Sequence, residues 1–274
     1  MENQKSSVLD KKFKYIKNNP IRFAVLSVCA VVFLVSAVML IKTQVDYKTG
    51  EQIYEGIVEE FITPTPSAEH SSVNSDPIVD INTPPISVDF EKLKKVNKDI
   101  VAWIYCEDTP INYPIVNCNT AADYDKYLVT AVDGKKNKAG SIFLDYRNAS
   151  DFSDLNTVIY GHSMKNGSMF AYLLRYDDQA FYENHKYMWL FTVDATYRIE
   201  LISGNEVNAT SEDYVIYKDA AQFKSYLERS VALSRFDSKT DLQGVKNIVT
   251  LSTCAYSQED SRYVVLGNLV KIEK

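Results

Sequence analysis

Cys254, His162 and Arg262 are the residues of this 274-residue chain whose types and settings could support nucleophilic chemistry. Cys254 ends the β-rich run NIVTLST, so a strand would present its thiol at a sheet rim. A thiol nucleophile needs a base or a cation beside it. His162 follows another β-rich run, TVIYG, inside YGHSMKNGSMF, and Gly161 before it permits close backbone approach. Arg262 comes eight residues after Cys254 and opens RYVVLGNLV, so the two can face each other across a loop. Its guanidinium stays charged and offers several donors, which suits an oxyanion or a backbone carbonyl. Taken singly, each has a plainer reading: a small buried hydrophobe, a structural hydrogen bonder, and a surface ion pair with Asp260 or Glu259.

The remaining cysteines and histidines narrow the choice. Cys29 lies in an apolar run, which leaves Cys106, Cys118 and Cys254, an odd number that keeps at least one thiol unpaired. Cys106 precedes Glu107 and Asp108, which would raise a thiol pKa, and Cys118 sits in the loop-like NCNT. His70 falls in a proline-rich stretch and His185 in YENHK, at the end of an expected helix. No HExxH and no paired CxxC occurs, so neither metal nor cofactor is expected.

Positioning such residues requires a framework, and the pattern from 89 to 274 supplies one. Runs rich in β-branched and aromatic residues at 100–105, 140–146, 157–161, 187–193, 196–204, 247–253 and 262–270 predict strands. Helical spacing appears at the start of this region, at 121–129, at 168–176 and at 219–233, where Phe223, Tyr226, Leu227 and Val231 share a face. Strand and helix do not alternate strictly. A mainly β fold, a mixed or antiparallel barrel with peripheral helices, is therefore expected over a doubly wound sheet.

Ahead of that domain the chain is segregated. Residues 23–41, FAVLSVCAVVFLVSAVMLI, carry no charge and as a helix would span roughly 28 Å, close to a hydrocarbon core. Residues 1–22 hold six basic and two acidic residues, which predicts a cytoplasmic N-terminus and places the chain beyond Lys42 outside. The rival, a cleaved secretory signal, fits less well because the run exceeds a signal core and lacks a clear small-x-small site. Residues 51–62 predict an amphipathic helix lying against the globular domain, and 63–87, with five of the eight prolines, an extended spacer. The expected layout is a basic tail (1–22), a single transmembrane anchor (23–41), a juxtamembrane helix and spacer (42–88), and an extracellular domain (89–274). The net charge of −6 and pI near 5.2 argue against nucleic acid as a partner. With 46% hydrophobic residues the chain is neither disordered nor a disulfide-stapled miniprotein.

TLSTC (250–254) resembles the TLxTC signature of sortases, and YGHSMKNGSMF (160–170) with SRYVVLGNLV (261–270) resembles the histidine and arginine segments of class B sortases. GSIFLDYRN (140–148) is also similar to class B members. The likeness covers most of 89–274 and keeps the order His, Cys, Arg. It implies a closed barrel of about eight strands and a transpeptidase that attaches secreted proteins to Gram-positive peptidoglycan. By that resemblance Cys254 attacks the carbonyl of a C-terminal sorting signal to give a thioester. His162 protonates the leaving amine and later deprotonates the incoming one, and Arg262 holds the substrate backbone or oxyanion. Ser252 and Thr253, with Tyr214, Val215 and Ile216, are expected to line the signal-peptide groove. The partners implied are the sorting-signal peptide, a peptidoglycan amine and, through one helix, the membrane. The sorting motif, NPQTN-like or LPxTG-like, stays open, as does the acceptor.

Two other classes compete. A papain-like protease also uses Cys and His, but its Cys normally precedes its His and opens a helix. A non-catalytic binding or sensor ectodomain explains the anchor, spacer and β domain but leaves TLSTC, His162 and Arg262 unexplained.

Overall fold

The structure, a computed structural model, describes residues 20–65, 81–209, 214, 217, 219–255 and 260–272. The chain divides between Lys48 and Thr49 into two compact units.

The first unit contains most of helix α1, Pro20–Phe61, which is long and apolar enough near the N-terminus to be a candidate membrane span. Where the sequence suggests two helices, α1 runs on without a break. No proline interrupts residues 42–50, and the Thr43 hydroxyl is absorbed by the Met39 carbonyl one turn back. Its last turns belong to the second unit, where Gly50, Tyr54, Ile57 and Phe61 form one buried stripe. Burying those three large side chains contributes roughly 2 kcal/mol each to holding this segment.

Two short strands open the second unit. β1 (Ile62–Pro64) and β2 (Ile86–Val88) pair antiparallel, so the two ends of the expected extended spacer are joined to each other. After them comes a closed barrel of eight strands: β3 (Ile100–Tyr105), β4 (Asn112–Val116), β5 (Ile142–Leu144), β6 (Asn156–Tyr160), β7 (Tyr187–Thr192), β8 (Thr196–Asn208), β9 (Ile248–Cys254) and β10 (Ser261–Ile272). Around the barrel the order is β10-β8-β7-β3-β4-β5-β6-β9, antiparallel except at β4–β5 and β6–β9. Closure leaves no free edge. The mainly β barrel expected from the sequence is therefore what the chain forms.

Helices α2 (Phe90–Val96), α3 (Ala121–Leu128), α4 (Gln179–Asn184) and α5 (Ala220–Ala232) lie at the periphery. Each begins at an Asp or Thr cap, and α3 carries a full capping box between Thr120 and Asp123. The stretch expected to be helical at 168–176 is a 3₁₀ helix at Ala171–Asp177, because Met169 takes a positive φ of 59° just ahead of it.

Strand alternation decides which side chains fill the barrel. On β9 and β10, Val249, Leu251, Tyr263 and Val265 point into the main core, where Leu251 is level with Ile159 of β6 and, through it, with Leu144 of β5. Ile248, Val264 and Leu266 point outward and are covered by Phe223, Tyr226 and Leu227 of α5.

Candidate active site

Cys254, the last residue of β9, shares the parity of Ile248 and so lies on the outer face of the barrel, beyond the part covered by α5. Its direct partner across the antiparallel β9–β10 ladder is Arg262. On the other side β9 runs parallel to β6, with Ser252 beside Tyr160, and the Gly161 amide continues that ladder to the Ser252 carbonyl at 3.1 Å. Extending the register by two residues sets His162 level with Cys254. The thiol thus stands on the middle of three neighbouring strands, with imidazole and guanidinium to either side, and all three residues are partly exposed.

Local packing explains why these backbones can come so close. A Cβ on Gly161 would sit 2.4 Å from Ile142 Cδ1 and 2.7 Å from the Phe170 ring, so only glycine fits immediately before His162. His162 Nε2 lies 2.7 Å from the Leu128 carbonyl at the end of α3. A carbonyl oxygen only accepts, so Nε2 carries the hydrogen of this contact. The Arg262 guanidinium donates through Nη1 to the Ser261 carbonyl at 3.0 Å.

Aromatic rings flank the thiol. Tyr124 of α3 stands edge-on to Phe143 and Tyr160, and it feels the charges of both Arg262 and Cys254. Burial is the main reason its hydroxyl pKa is raised. The Tyr160 ring stacks on Tyr214 at 5.9 Å, and the Tyr214 hydroxyl is 3.0 Å from Ser252 Oγ. Beneath them the buried Asp145 carboxylate accepts from Arg147 Nε at 2.8 Å, Arg147 Nη2 at 2.6 Å and the Tyr160 hydroxyl at 3.0 Å. Arg147 Nη2 also donates to the Tyr214 carbonyl at 3.1 Å. Burial pushes the Asp145 carboxyl up, but the hydrogen bonds from Arg147 and Tyr160 outweigh it and hold the pKa below the usual value.

Of the groove residues expected from the sequence, Ser252 and Tyr214 meet beside Cys254. Thr253 has the opposite parity, is buried, and among the described residues has no partner for its hydroxyl. Val215 and Ile216 lie outside the described residues, as does His70. His185 caps the end of α4, its Nδ1 2.8 Å from the Phe181 carbonyl. Cys106 and Cys118 are free and buried. Burial, far more than Glu107 and Asp108, pushes the Cys106 thiol up to about 11, and burial with Asp123 pushes Cys118 up to about 12. Leu128 escapes sequence reasoning because it acts through its backbone. Asp145, Arg147 and Tyr160 were visible only as members of segments that resemble the family, and Tyr124 only as part of a helical stretch.

An outward-facing thiol level with an imidazole and opposite a guanidinium, on a closed eight-stranded barrel with two parallel joints, is the arrangement that a cysteine-dependent acyl-transfer enzyme requires. The sortase-domain family model matches residues 104–270. Sortase B of Listeria monocytogenes serovar 1/2a is 34% identical over 235 residues, 82% of this chain and 90% of that one. Among solved structures, the Staphylococcus aureus sortase B–substrate complex aligns with a TM-score of 0.61 at 31% identity, over 67% of this chain and 85% of that chain. A sortase B complexed with triglycine aligns with a TM-score of 0.60 at 32% identity, over 67% and 86%. The chain belongs to the sortase family of cysteine transpeptidases, and its named relatives are of class B.

Proposed function

We propose that the chain is a class B transpeptidase that cleaves a C-terminal sorting signal of secreted proteins and joins the new acyl end to a peptidoglycan amine. The observation that carries this reading is Cys254 at the end of β9, directly opposite Arg262 on β10 and level with His162 two residues past the end of β6.

In the reacting form Cys254 is the thiolate and His162 carries a proton on Nδ1 as well as Nε2. The thiolate attacks the scissile carbonyl, a C–S bond forms, and Arg262 donates to the oxyanion. The C–N bond then breaks as the Nδ1 proton passes to the leaving amine, which gives a thioester. An incoming primary amine attacks the thioester and yields its proton to Nδ1. The new C–N bond forms, the thiolate leaves, and the enzyme returns to its starting state. The thioester conserves the acyl bond energy, so no ATP is required. The sortase B structures solved with triglycine and with substrate support an amine acceptor and a peptide donor.

Ser252, Tyr214, Tyr160 and Tyr124 line the groove that takes the signal peptide, and Thr253 lies beneath it on the inner face. The apolar start of α1 holds the enzyme in the cell membrane, with the basic N-terminus in the cytoplasm and the barrel outside.

The test is to incubate the full chain in detergent with peptides carrying NPQTN-like or LPxTG-like signals, with triglycine or hydroxylamine as acceptor. Wild-type protein gives a ligated or hydroxamate product and a transient thioester, and Cys254→Ala gives neither. A folded wild-type chain that forms no thioester on any such peptide sinks the reading.

A further inference from the structure

The end of α1 is packed against the segments that hold His162. Gly50 brings the helix backbone close: a Cβ there would lie 3.0 Å from Asn137 Oδ1 and 3.4 Å from Ala139 Cβ. One turn on, the buried Tyr54 hydroxyl donates to the Gly140 carbonyl at 2.5 Å, and its ring stands edge-on to Tyr113 at 5.3 Å. Gly140 has a φ of 59°, and its Cβ position is only 2.6 Å from the Tyr127 carbonyl oxygen and 2.7 Å from that of Leu128. The Leu128 carbonyl is the acceptor that fixes His162 Nε2. A hydrogen bond from Tyr54 to Gly140, the close backbone approach of Gly140 to Tyr127 and Leu128, and the Leu128–His162 hydrogen bond therefore link Tyr54 to the imidazole.

A second route reaches the loop after His162. The Tyr113 hydroxyl accepts from the Met169 amide at 2.9 Å, Met169 bridges to Ser163, and the Phe170 amide donates to the His162 carbonyl at 2.9 Å. Asn166 in the same loop donates to Glu51 of the helix at 2.8 Å. Both sides of His162 are thus braced by one helical turn and a half, Gly50 to Tyr54, which the sequence assigns to a juxtamembrane element remote from the chemistry.

We propose that Tyr54 is a positioning residue: by fixing Gly140 against the end of α3 it holds the Leu128 carbonyl where it selects the His162 tautomer that leaves Nδ1 free. The inference rests on the reading of His162 as the proton-transferring group. Orientation errors of about an ångström at such a group cost up to a hundredfold in rate, so a brace of this kind matters for turnover more than for binding.

The experiment compares the wild-type full chain in detergent micelles with Tyr54→Phe and, for the second route, Glu51→Ala. Only three histidines occur, so ring 15N signals of histidine-labelled protein can be assigned, with His162→Gln identifying its own. Tyr54→Phe keeps the ring and loses the hydroxyl. It is expected to move the His162 ring signals, to lower kcat about tenfold with KM little changed, and to displace one limb of the pH–rate profile. Glu51→Ala is expected to move the same signals less. Unchanged His162 signals with unchanged kcat per titrated thiol overturn the proposal, even if the melting temperature falls, because Tyr54 would then serve packing alone. If the wild-type chain turns over no sorting peptide, the transpeptidase reading fails, while the His162 signals still decide the positioning.

Discussion

Arg262 lies directly opposite Cys254 across the last two strands of the barrel, and just beyond them the Ala255 amide donates to the Ser261 carbonyl at 3.0 Å. Directly opposed residues in an antiparallel pair have Cα atoms about 5 Å apart. The guanidinium therefore stands on the same surface as the thiol, and the backbone that carries it is set by ladder hydrogen bonds.

Replacing Arg262 separates charge from geometry. Lys keeps the charge but loses the fork of donors, so Arg262→Lys should still lose much of the rate. The expected fall in kcat is about a hundredfold for Lys and up to about a thousandfold for Ala, with KM changing far less. Steady-state kinetics on a sorting peptide checks this, and equal activity of the Lys variant would show that donor geometry is not required.

Thiol reactivity should single out Cys254 among the three cysteines beyond α1. Cys106 and Cys118 are buried, with pKa values near 11 and 12, so at pH 7.5 both are protonated and enclosed. Mass mapping after iodoacetamide treatment of native protein should find only Cys254 of the three, and all of them in urea. The effect on stability has a definite sign: a thiol pKa raised by folding adds stability below the ordinary value near 9 that is lost as pH rises toward 11. Denaturant melts should therefore show a decline over that interval that is smaller in Cys106→Ala, provided the variant packs as well.

The Asp145–Arg147 pair gives a prediction in the opposite pH direction. Arg147→Ala takes the cationic partner from a buried carboxylate and one donor from the Tyr214 carbonyl. The cost is about 2 kcal/mol, below the range for fully buried pairs because Arg147 is half exposed. A carboxyl held below its usual pKa stabilises the fold above that value and stops doing so as pH falls through the lowered one. The difference between wild type and variant should thus be largest near neutrality and shrink in acid. KM for the peptide should rise as Tyr214 loses its anchor, and a variant with unaltered KM would exclude Tyr214 from the groove.

Much of this architecture was legible in the chain, for reasons that also explain the gaps. Strands such as Ile248–Cys254 announce themselves through β-branched runs, and the His, Cys and Arg segments through order and spacing. Strand β4 did not, because Pro114 sits in its middle, opposite Trp103 in the ladder to β3 and just ahead of Ile115, where the pairing with β5 on the other side begins. The level placement of His162 and Cys254 depends on a parallel joint between β6 and β9, strands separated by much of the chain, and no local pattern encodes it. The role of Leu128 was invisible because any residue has a carbonyl.

That carbonyl supplies the sharpest test of the site's geometry. Gly140 combines a positive φ with a Cβ position inside contact distance of two backbone oxygens, so alanine there meets both strain and collision, and neither obstacle is a side chain that can swing away. Gly140→Ala should push the end of α3 outward, carry the Leu128 carbonyl from His162 Nε2, and lower kcat by about a hundredfold. Gly134 also has a positive φ, 81°, but nothing lies within 4 Å of its Cβ position, so Gly134→Ala carries the strain without the collision. Both variants should lose about 1 kcal/mol or more of stability through the backbone alone. Only Gly140→Ala should lose turnover per titrated Cys254 thiol. Equal turnover in the two variants would show that the end of α3 does not govern His162.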